Sequence, residues 1–446
     1  MFPMSVSPLS RITLACTLLG LGACAWSQEQ EDTSARYQST YNWQQHPSFG
    51  SSGATSANSL RAQREKMYTF SLTGHWGLRL ESGAEVYMNA EMASGVPFSD
   101  NLVGLGSFTN GEITRAAGTT PKPYLQRVFW RKTWNQGGEK EQIASDFNQM
   151  AQVVDKNRFV MTAGNFSTLD VFDDNAYAKD PRTQFMNWSH WTYGAYDYAA
   201  DARGFGWGVA GEWYRGDWVL RVARMTGPKK PNELQVDTDL LRHYGDQVEV
   251  EHAHTLLNQP GKVRVLAWRN RAVTASFKEA TAYLQTHPGS DPQAFFKVRQ
   301  GEKIKYGLGL NLEQALSDQV GVFLRAMKAD GRTETYAFTE IDASLSAGVL
   351  VNGAAWQRGQ DRVGVAFMEN RLSADRRNFL AAGGISYFIG DGQLQYRPER
   401  GLETFYSWGL NRHTWLTADY QYIQNPAYNA LRGPVNVYAV RLHAEF

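Results

Sequence analysis

Near the end of the chain, Tyr438, Val440, Leu442, Ala444 and Phe446 fall on one side of an extended backbone, and Val437, Ala439, Arg441, His443 and Glu445 on the other. Successive side chains of a strand point to opposite faces, so this segment has one apolar face and one charged face. The pattern recurs. Tyr306, Leu308, Leu310 and Leu312 oppose Lys305, Gly307, Gly309, Asn311 and Glu313. Trp207, Val209, Gly211 and Trp213 oppose Gly208, Ala210 and Glu212, and Trp76, Leu78 and Leu80 oppose Gly77, Arg79 and Glu81. Leu416, Ala418, Tyr420 and Tyr422 likewise oppose Thr417, Asp419 and Gln421. Further strands are expected at 85–91, 125–131, 159–165, 218–224, 247–254, 262–269, 320–328, 362–368, 385–389 and 403–410, although 262–269 alternates poorly.

Segments of about ten residues, apolar on one face and polar on the other, are the signature of a transmembrane β-barrel. Aromatic residues sit at the ends of the apolar faces, as Trp207 and Trp213 do, where girdles at the two membrane interfaces would place them. A soluble β-sandwich would also alternate, but its core strands would carry fewer arginines and glutamates on the second face. Gly390-Asp391-Gly392, Gly216-Asp217 and Pro260-Gly261 read as tight turns. Residues 228–246 and 278–302 read as surface loops on the opposite rim, and 139–156 has the composition of a short helix within a loop.

Composition narrows the class. Mean hydropathy is −0.46, and beyond the N-terminal leader no stretch reaches the apolar length of a membrane helix. A net charge of +1 argues against a nucleic-acid partner, which would call for a basic stripe. The chain opens with one arginine, an apolar run from Ile12 to Ala23 and a polar stretch, the pattern of a secretory signal peptide over 1–27. Cleavage before Gln28 is expected from Ala25-Trp26-Ser27. The alternative, a lipobox at Leu21-Gly22-Ala23-Cys24, would leave Cys24 lipidated. Both cysteines, Cys16 and Cys24, lie in this leader, so disulfides cannot brace the body of the chain. Residues 28–66 are expected to lead into the barrel and 67–446 to form it, with no repeat of fixed period and no second domain.

Several stretches carry a resemblance: GVPFSDNLVGLGSFTNGE, TAGNFSTLDVFDDNAYAKDPRTQFMNW, GAYDYAADARGFGWG, HYGDQVEVEHAH and the closing NPAYNALRGPVNVYAVRLHAEF. Together they resemble the carbohydrate-selective porins of the OprB type, from about Tyr41 to Phe446. The resemblance implies an all-β, antiparallel barrel of sixteen strands in the outer membrane of a Gram-negative bacterium, with short periplasmic turns and longer extracellular loops. It implies passive diffusion of sugars, no cofactor, and insertion by the barrel-assembly machinery, which reads a terminal aromatic such as Phe446. The partners expected are therefore sugars, outer-membrane lipids and that machinery. A monomer and a homotrimer both fit, because a lipid-facing and a subunit-facing wall are equally apolar.

A sugar offers hydroxyls and weakly apolar CH faces, so a selective lumen needs planar donors, acceptors and aromatic surfaces. The polar strand faces supply Arg79, Glu81, Glu85, Glu91, Arg127, Arg131, Arg325, Arg441 and Glu445 as pore-lining candidates, and the Phe108–Glu112 loop adds Glu112. Arg79 and Arg127, with Glu85 and Glu91, stand out as lying in early strands close to that loop, which the resemblance, and not the residue spacing, implies folds inward as a narrowing element. Each can equally be a salt bridge that braces the wall. His252 and His254 share a strand face but lack a third metal ligand nearby, and Asp170, Asp173 and Asp174 lack the glycine and final glutamate of a calcium loop. No nucleophile motif, zinc-protease motif or phosphate loop is present, so an enzyme is not expected. A non-selective pore, a barrel enzyme and an adhesin are the competing readings.

Overall fold

A computed structural model describes residues 30–446 apart from 117 and 338; the leader expected over 1–27 and its two cleavage readings lie outside these residues. The wall begins with β1 (Thr33–His46), β2 (Glu65–Arg79), β3 (Ala84–Val96) and β4 (Gly118–Asn135). A small two-stranded sheet, β5 (Lys140–Ile143) and β6 (Gln152–Asp155), stands apart from it. The wall resumes with β7 (Arg158–Phe166), β8 (Gly206–Arg215), β9 (Trp218–Met225), β10 (Tyr244–Leu256), β11 (Gln259–Val273) and β12 (Glu302–Ala315). It finishes with β13 (Val320–Ala329), β14 (Ala343–Asn352), β15 (Arg362–Arg371), β16 (Glu399–Asn411), β17 (Thr414–Gln424) and β18 (Val435–Glu445).

Sixteen of these strands, all but β5 and β6, form a closed barrel in which each wall strand pairs antiparallel with its neighbours. Closure comes from β1 against β18, with Gln38 opposite Glu445 and Gln45 opposite Tyr438. Phe446 extends this seam, exchanging backbone hydrogen bonds with Tyr37 at 2.8 and 2.9 Å. A closed sheet leaves no edge with unpaired N–H and C=O groups, which hydrocarbon would penalise by several kcal/mol each. Among the described residues no helix is long and apolar enough to cross a membrane; the strands do the crossing.

The face assignment follows the alternation. Tyr438, Val440 and Leu442 are exposed on the outer wall while Arg441 and His443 are buried inside, and Tyr306 and Leu308 point out where Lys305 and Asn311 point in. Trp207, Val209 and Trp213 are also outward.

Five expectations are corrected. Residues 28–66 do more than lead into the barrel, because β1 is a wall strand; its Tyr37, Tyr41 and Trp43 alternate with small polar residues, a weak signal in isolation. The strand β14 went unanticipated for a similar reason, since Ser, Ala and Gly blur its faces. Residues 139–156 form the β5–β6 pair and not a helix. Residues 385–389 and Gly390-Asp391-Gly392 belong to the connection before β16, where Asp391 is buried against Ser59 and Asn429, so neither makes a hairpin. The turn between β10 and β11 is Leu257–Asn258, with Pro260 and Gly261 already in β11. The Gly216–Asp217 turn between β8 and β9 stands as expected.

All but one of the long connections leave the same end of the barrel; the exception, residues 136–157 between β4 and β7, leaves the other. The one between β11 and β12 is not plain loop, as it carries helices at Phe277–Thr286 and Phe295–Val298. Phe277 and Phe295 pack with Phe379 of a third helix, Ala374–Ala381, and with Tyr428, giving the rim a small apolar core of its own. Buried Arg376 ties that helix to Asp342 and Glu340.

Candidate functional site: a lumen narrowed from both ends

The connection from β7 to β8, residues 167–205, turns into the lumen, and most of its residues are buried, with 184–200 buried throughout. The inner wall holds it by charge and by fit. Arg325 on β13 donates to the Asp173 carboxylate at 2.7 Å and to the carbonyls of Ala178 and His190 at 2.5 and 2.8 Å. Arg441 on β18 donates to the carbonyls of Pro181 and Gln184, both at 2.8 Å. On β16, Glu403 accepts from the backbone N–H groups of Met186 and Asn187 at 2.6 and 3.0 Å. Lys305 on β12 meets Asp197 at 2.7 Å. Inner-face glycines make room: a Cβ on Gly309 would lie 2.9 Å from the Tyr193 ring, and one on Gly364 would lie 2.8 Å from Phe185. Phe185 packs on Phe323 and Phe405, while Tyr196 packs on Trp268.

Phe108–Glu112 also turns inward, as expected. The carbonyl of Phe108 accepts from Trp188 N–H at 2.9 Å, and Gly111 N–H donates to the Met186 carbonyl at 3.0 Å. Glu112 joins a buried ion cluster in which Arg182 meets Glu91 at 2.6 Å and Glu112 at 2.9 Å, with Arg115 on Glu112 at 2.7 Å. Burial opposes the charge on Arg182, but Glu112 and Glu91 outweigh it, so this guanidinium holds its proton beyond the usual arginine range.

What remains open is a cavity of about 600 Å³, within the usual span of small-molecule sites. Its wall combines cations (Arg115, Arg127, Arg131, Arg182, Arg203, Arg362), carboxylates (Asp146, Asp170, Asp174, Asp180, Glu445) and flat rings (Phe129, Phe147, Trp188, Trp191, Tyr198). The cations divide into two groups. Arg127 is locked in a two-pronged pair with Asp170 at 2.7 Å and lies 4.9 Å over the Phe205 ring. Among the described residues, Arg131, Arg203 and Arg362 have no carboxylate within ion-pair distance. Arg131 stacks over Phe129 and donates to the Asn148 carbonyl at 2.9 Å, and Arg203 lies 4.1 Å over the Tyr124 ring.

The residues singled out by sequence take up different positions. Arg127, Arg131 and Glu445 border the cavity. Arg79 and Glu85 form a 2.7 Å pair low on the wall, where Arg79 also donates to the Glu31 carbonyl, and neither borders the cavity. Glu81 lies exposed in the turn between β2 and β3. Glu91, Glu112, Arg325 and Arg441 anchor the inward segments. The three aspartates do not converge on one ion. Asp170 meets Arg127, Asp173 meets Arg325, and Asp174 meets Lys179 at 2.7 Å. Lys179, aided by Arg264, holds the Asp174 carboxyl well below the usual carboxylate range. His252 lies against Trp218 on the outer wall, and His254 bonds Gln314.

Sequence reasoning missed Arg182, Arg203, Arg362 and the lumen aromatics. One signal was available: FMNWSHWTYGAYDY is strongly aromatic but does not alternate, so it suits neither a wall strand nor a solvated loop.

Comparison with known proteins agrees with this architecture. The family model for the carbohydrate-selective porin, OprB family, matches residues 57–446. The high-pH structure of Pseudomonas putida OprB superposes with a TM-score of 0.67 at 13% identity, covering 93% of this chain and 94% of that one. The outer-membrane channel DcaP of Acinetobacter baumannii gives 0.51 at 8% identity, over 93% and 97%. A search of curated protein sequences finds no match. At these identities the structures establish the shared barrel fold, while the family match rests on the sequence itself. This chain, a closed sixteen-stranded barrel with a charged and aromatic lumen, belongs to the OprB family of carbohydrate-selective porins of the Gram-negative outer membrane.

Proposed function

We propose that sugars diffuse through the cavity left beside residues 167–205, and that Arg131, Arg203 and Arg362 are the groups that read them. The observation that carries this is the division among the lumen arginines. Those paired with carboxylates have spent their donors on holding the inward segments, whereas these three border the open space with no ion pair among the described residues. Arg203 and Arg362 each present a rigid fork of N–H donors to sugar hydroxyls, while Arg131, which donates through Nε to Thr162 and through Nη1 to the Asn148 carbonyl, offers its remaining Nη2, beside Phe129, Trp191 and Tyr198, whose rings suit CH faces. Acceptors come from Asp146, Asp180 and Glu445. Contacts of this kind, solvated and few at any one station, keep residence short, as flux requires.

The test is liposome swelling with isomeric hexoses of equal size. Wild-type rates are expected to differ among isomers, with R203A and R362A each compressing those differences while the barrel stays folded. Arg127→Ala, which frees Asp170 and loosens the wall, is expected to raise all rates together. Identical rates for every isomer in the wild type would reduce the channel to a sieve.

A further inference from the structure

A third inward element comes from the opposite end. Asn135 of β4 pairs directly with Arg158 of β7, so these strands need only a tight turn between them. Instead the chain inserts residues 136–157 at the end where the other connections are short, the periplasmic end in bacterial porins. The insertion is a hairpin. Its β5–β6 arms pair Lys140 with Asp155 through Ile143 with Gln152, and its tip closes where Asp146 and Gln149 exchange backbone hydrogen bonds at 2.9 and 3.1 Å. Asn148 takes φ of +57°, a conformation asparagine tolerates better than most residues.

That tip lies inside the barrel. The Phe147 ring is 4.6 Å from the lumen-facing His75 ring, and the Asn148 carbonyl accepts from Arg131 at 2.9 Å. Met150 is fully buried, and its N–H donates to the Tyr87 hydroxyl at 3.0 Å. The hairpin is also fastened to the strand beside the seam: Ser145 accepts from Arg36, and the Glu31 carboxylate accepts from Ser145 and from Ala151 N–H, both at 2.7 Å. The same cavity that touches Arg182 and Trp191 of the inward loop touches Asp146 through Gln149 of this hairpin. A hairpin that only braced the wall would have no reason to carry its tip to the open space.

We infer that hairpin 136–157 is a second, exit-side constriction, and that Phe147, with the amide side chain of Gln149, forms a second sugar-contacting station in series with the arginines. This rests on the sugar route proposed above. A sugar leaving the arginines meets a flat ring and a neutral amide. That is the chemistry of a weak, uncharged contact, which sorts by shape of the CH face and not by charge.

Two variants test it in liposomes. In the first, residues 136–157 are replaced by Asn-Gly, which preserves the Asn135–Arg158 register; swelling should rise several-fold for all hexoses and discrimination among isomers should fall. In the second, Phe147→Cys is treated with a bulky methanethiosulfonate reagent, with the treated wild type as control for Cys16 and Cys24. Modification should more than halve the swelling rate, and the untreated variant serves as its own folding control. Quantitative modification with unchanged flux would overturn the inference. So would a cysteine that the reagent cannot reach, because the tip would then not border the route. A wild type that discriminates isomers, with both variants doing so equally well, would remove the hairpin and leave the arginines standing; a wild type that passes no sugar would overturn both.

Discussion

Arg325 gives the sharpest test of how the lumen is built. Its guanidinium is 1% exposed, touches none of the open cavity, and makes its hydrogen bonds to residues 173–190 of the inward loop. Arg325→Met keeps the length and removes the donors. Asp173 would retain Asn311 at 2.6 Å and Thr192 at 2.9 Å, but its charge would lose its only ion-pair partner among the described residues, and three buried carbonyls, those of Asp173, Ala178 and His190, would lose a donor. Removing one partner of a buried pair typically costs about 3–5 kcal/mol. At about 1.4 kcal/mol per tenfold, that raises the population of a locally detached loop by roughly two to three and a half orders of magnitude. The readout is amide hydrogen exchange at Tyr193, whose N–H donates to the Asp173 carboxylate at 3.0 Å. Single-channel conductance should become noisier alongside it. The double variant Arg325→Met/Asp173→Asn should recover much of the protection, because a neutral amide does not strand a charge. Protection at Tyr193 within tenfold of wild type in the single variant would refute the idea that charge pairing holds the loop.

Placement alone settles the direction of other outcomes. Glu81→Gln should leave flux and stability unchanged within error in swelling and thermal-melt assays, since Glu81 sits exposed in a turn outside the lumen. Phe446→Ala should leave the purified barrel closed, because Phe446 joins Tyr37 through backbone atoms; heat-modified electrophoretic mobility reads this, and a loss of yield in cells but not in detergent would point to recognition of the ring during insertion. Asp174 titrates below its unfolded value, so its contribution is present above about pH 4 and is lost only as pH falls through the lower folded value. Ion preference should therefore stay flat at this position from pH 7 to about 4, whereas in Lys179→Met the change should begin at higher pH, as read by reversal potentials across a salt gradient.

The alternation by itself determined the wall. Strand period is two, and the two solvents of a barrel differ so sharply that Tyr438, Val440 and Leu442 could only face lipid while Arg441 and His443 faced in. It faltered where faces were chemically similar, as in β14, or where aromatics alternated with small polar residues, as in β1. What alternation could not decide was the use of the inner charges. Arg79, Arg127, Arg131, Arg325 and Arg441 share one residue type and one face, yet one braces the wall, two border the open cavity and two grip a loop from a distant part of the chain. Strand period specifies the direction of a side chain and nothing about what waits there. Their roles depend on two segments, 167–205 and 136–157, that lack any period and take their shape from the partners the closed barrel brings within reach. Only closure of the sheet, which sets residues far apart in sequence across a lumen a few side chains wide, turns those arginines into anchors or into a passage.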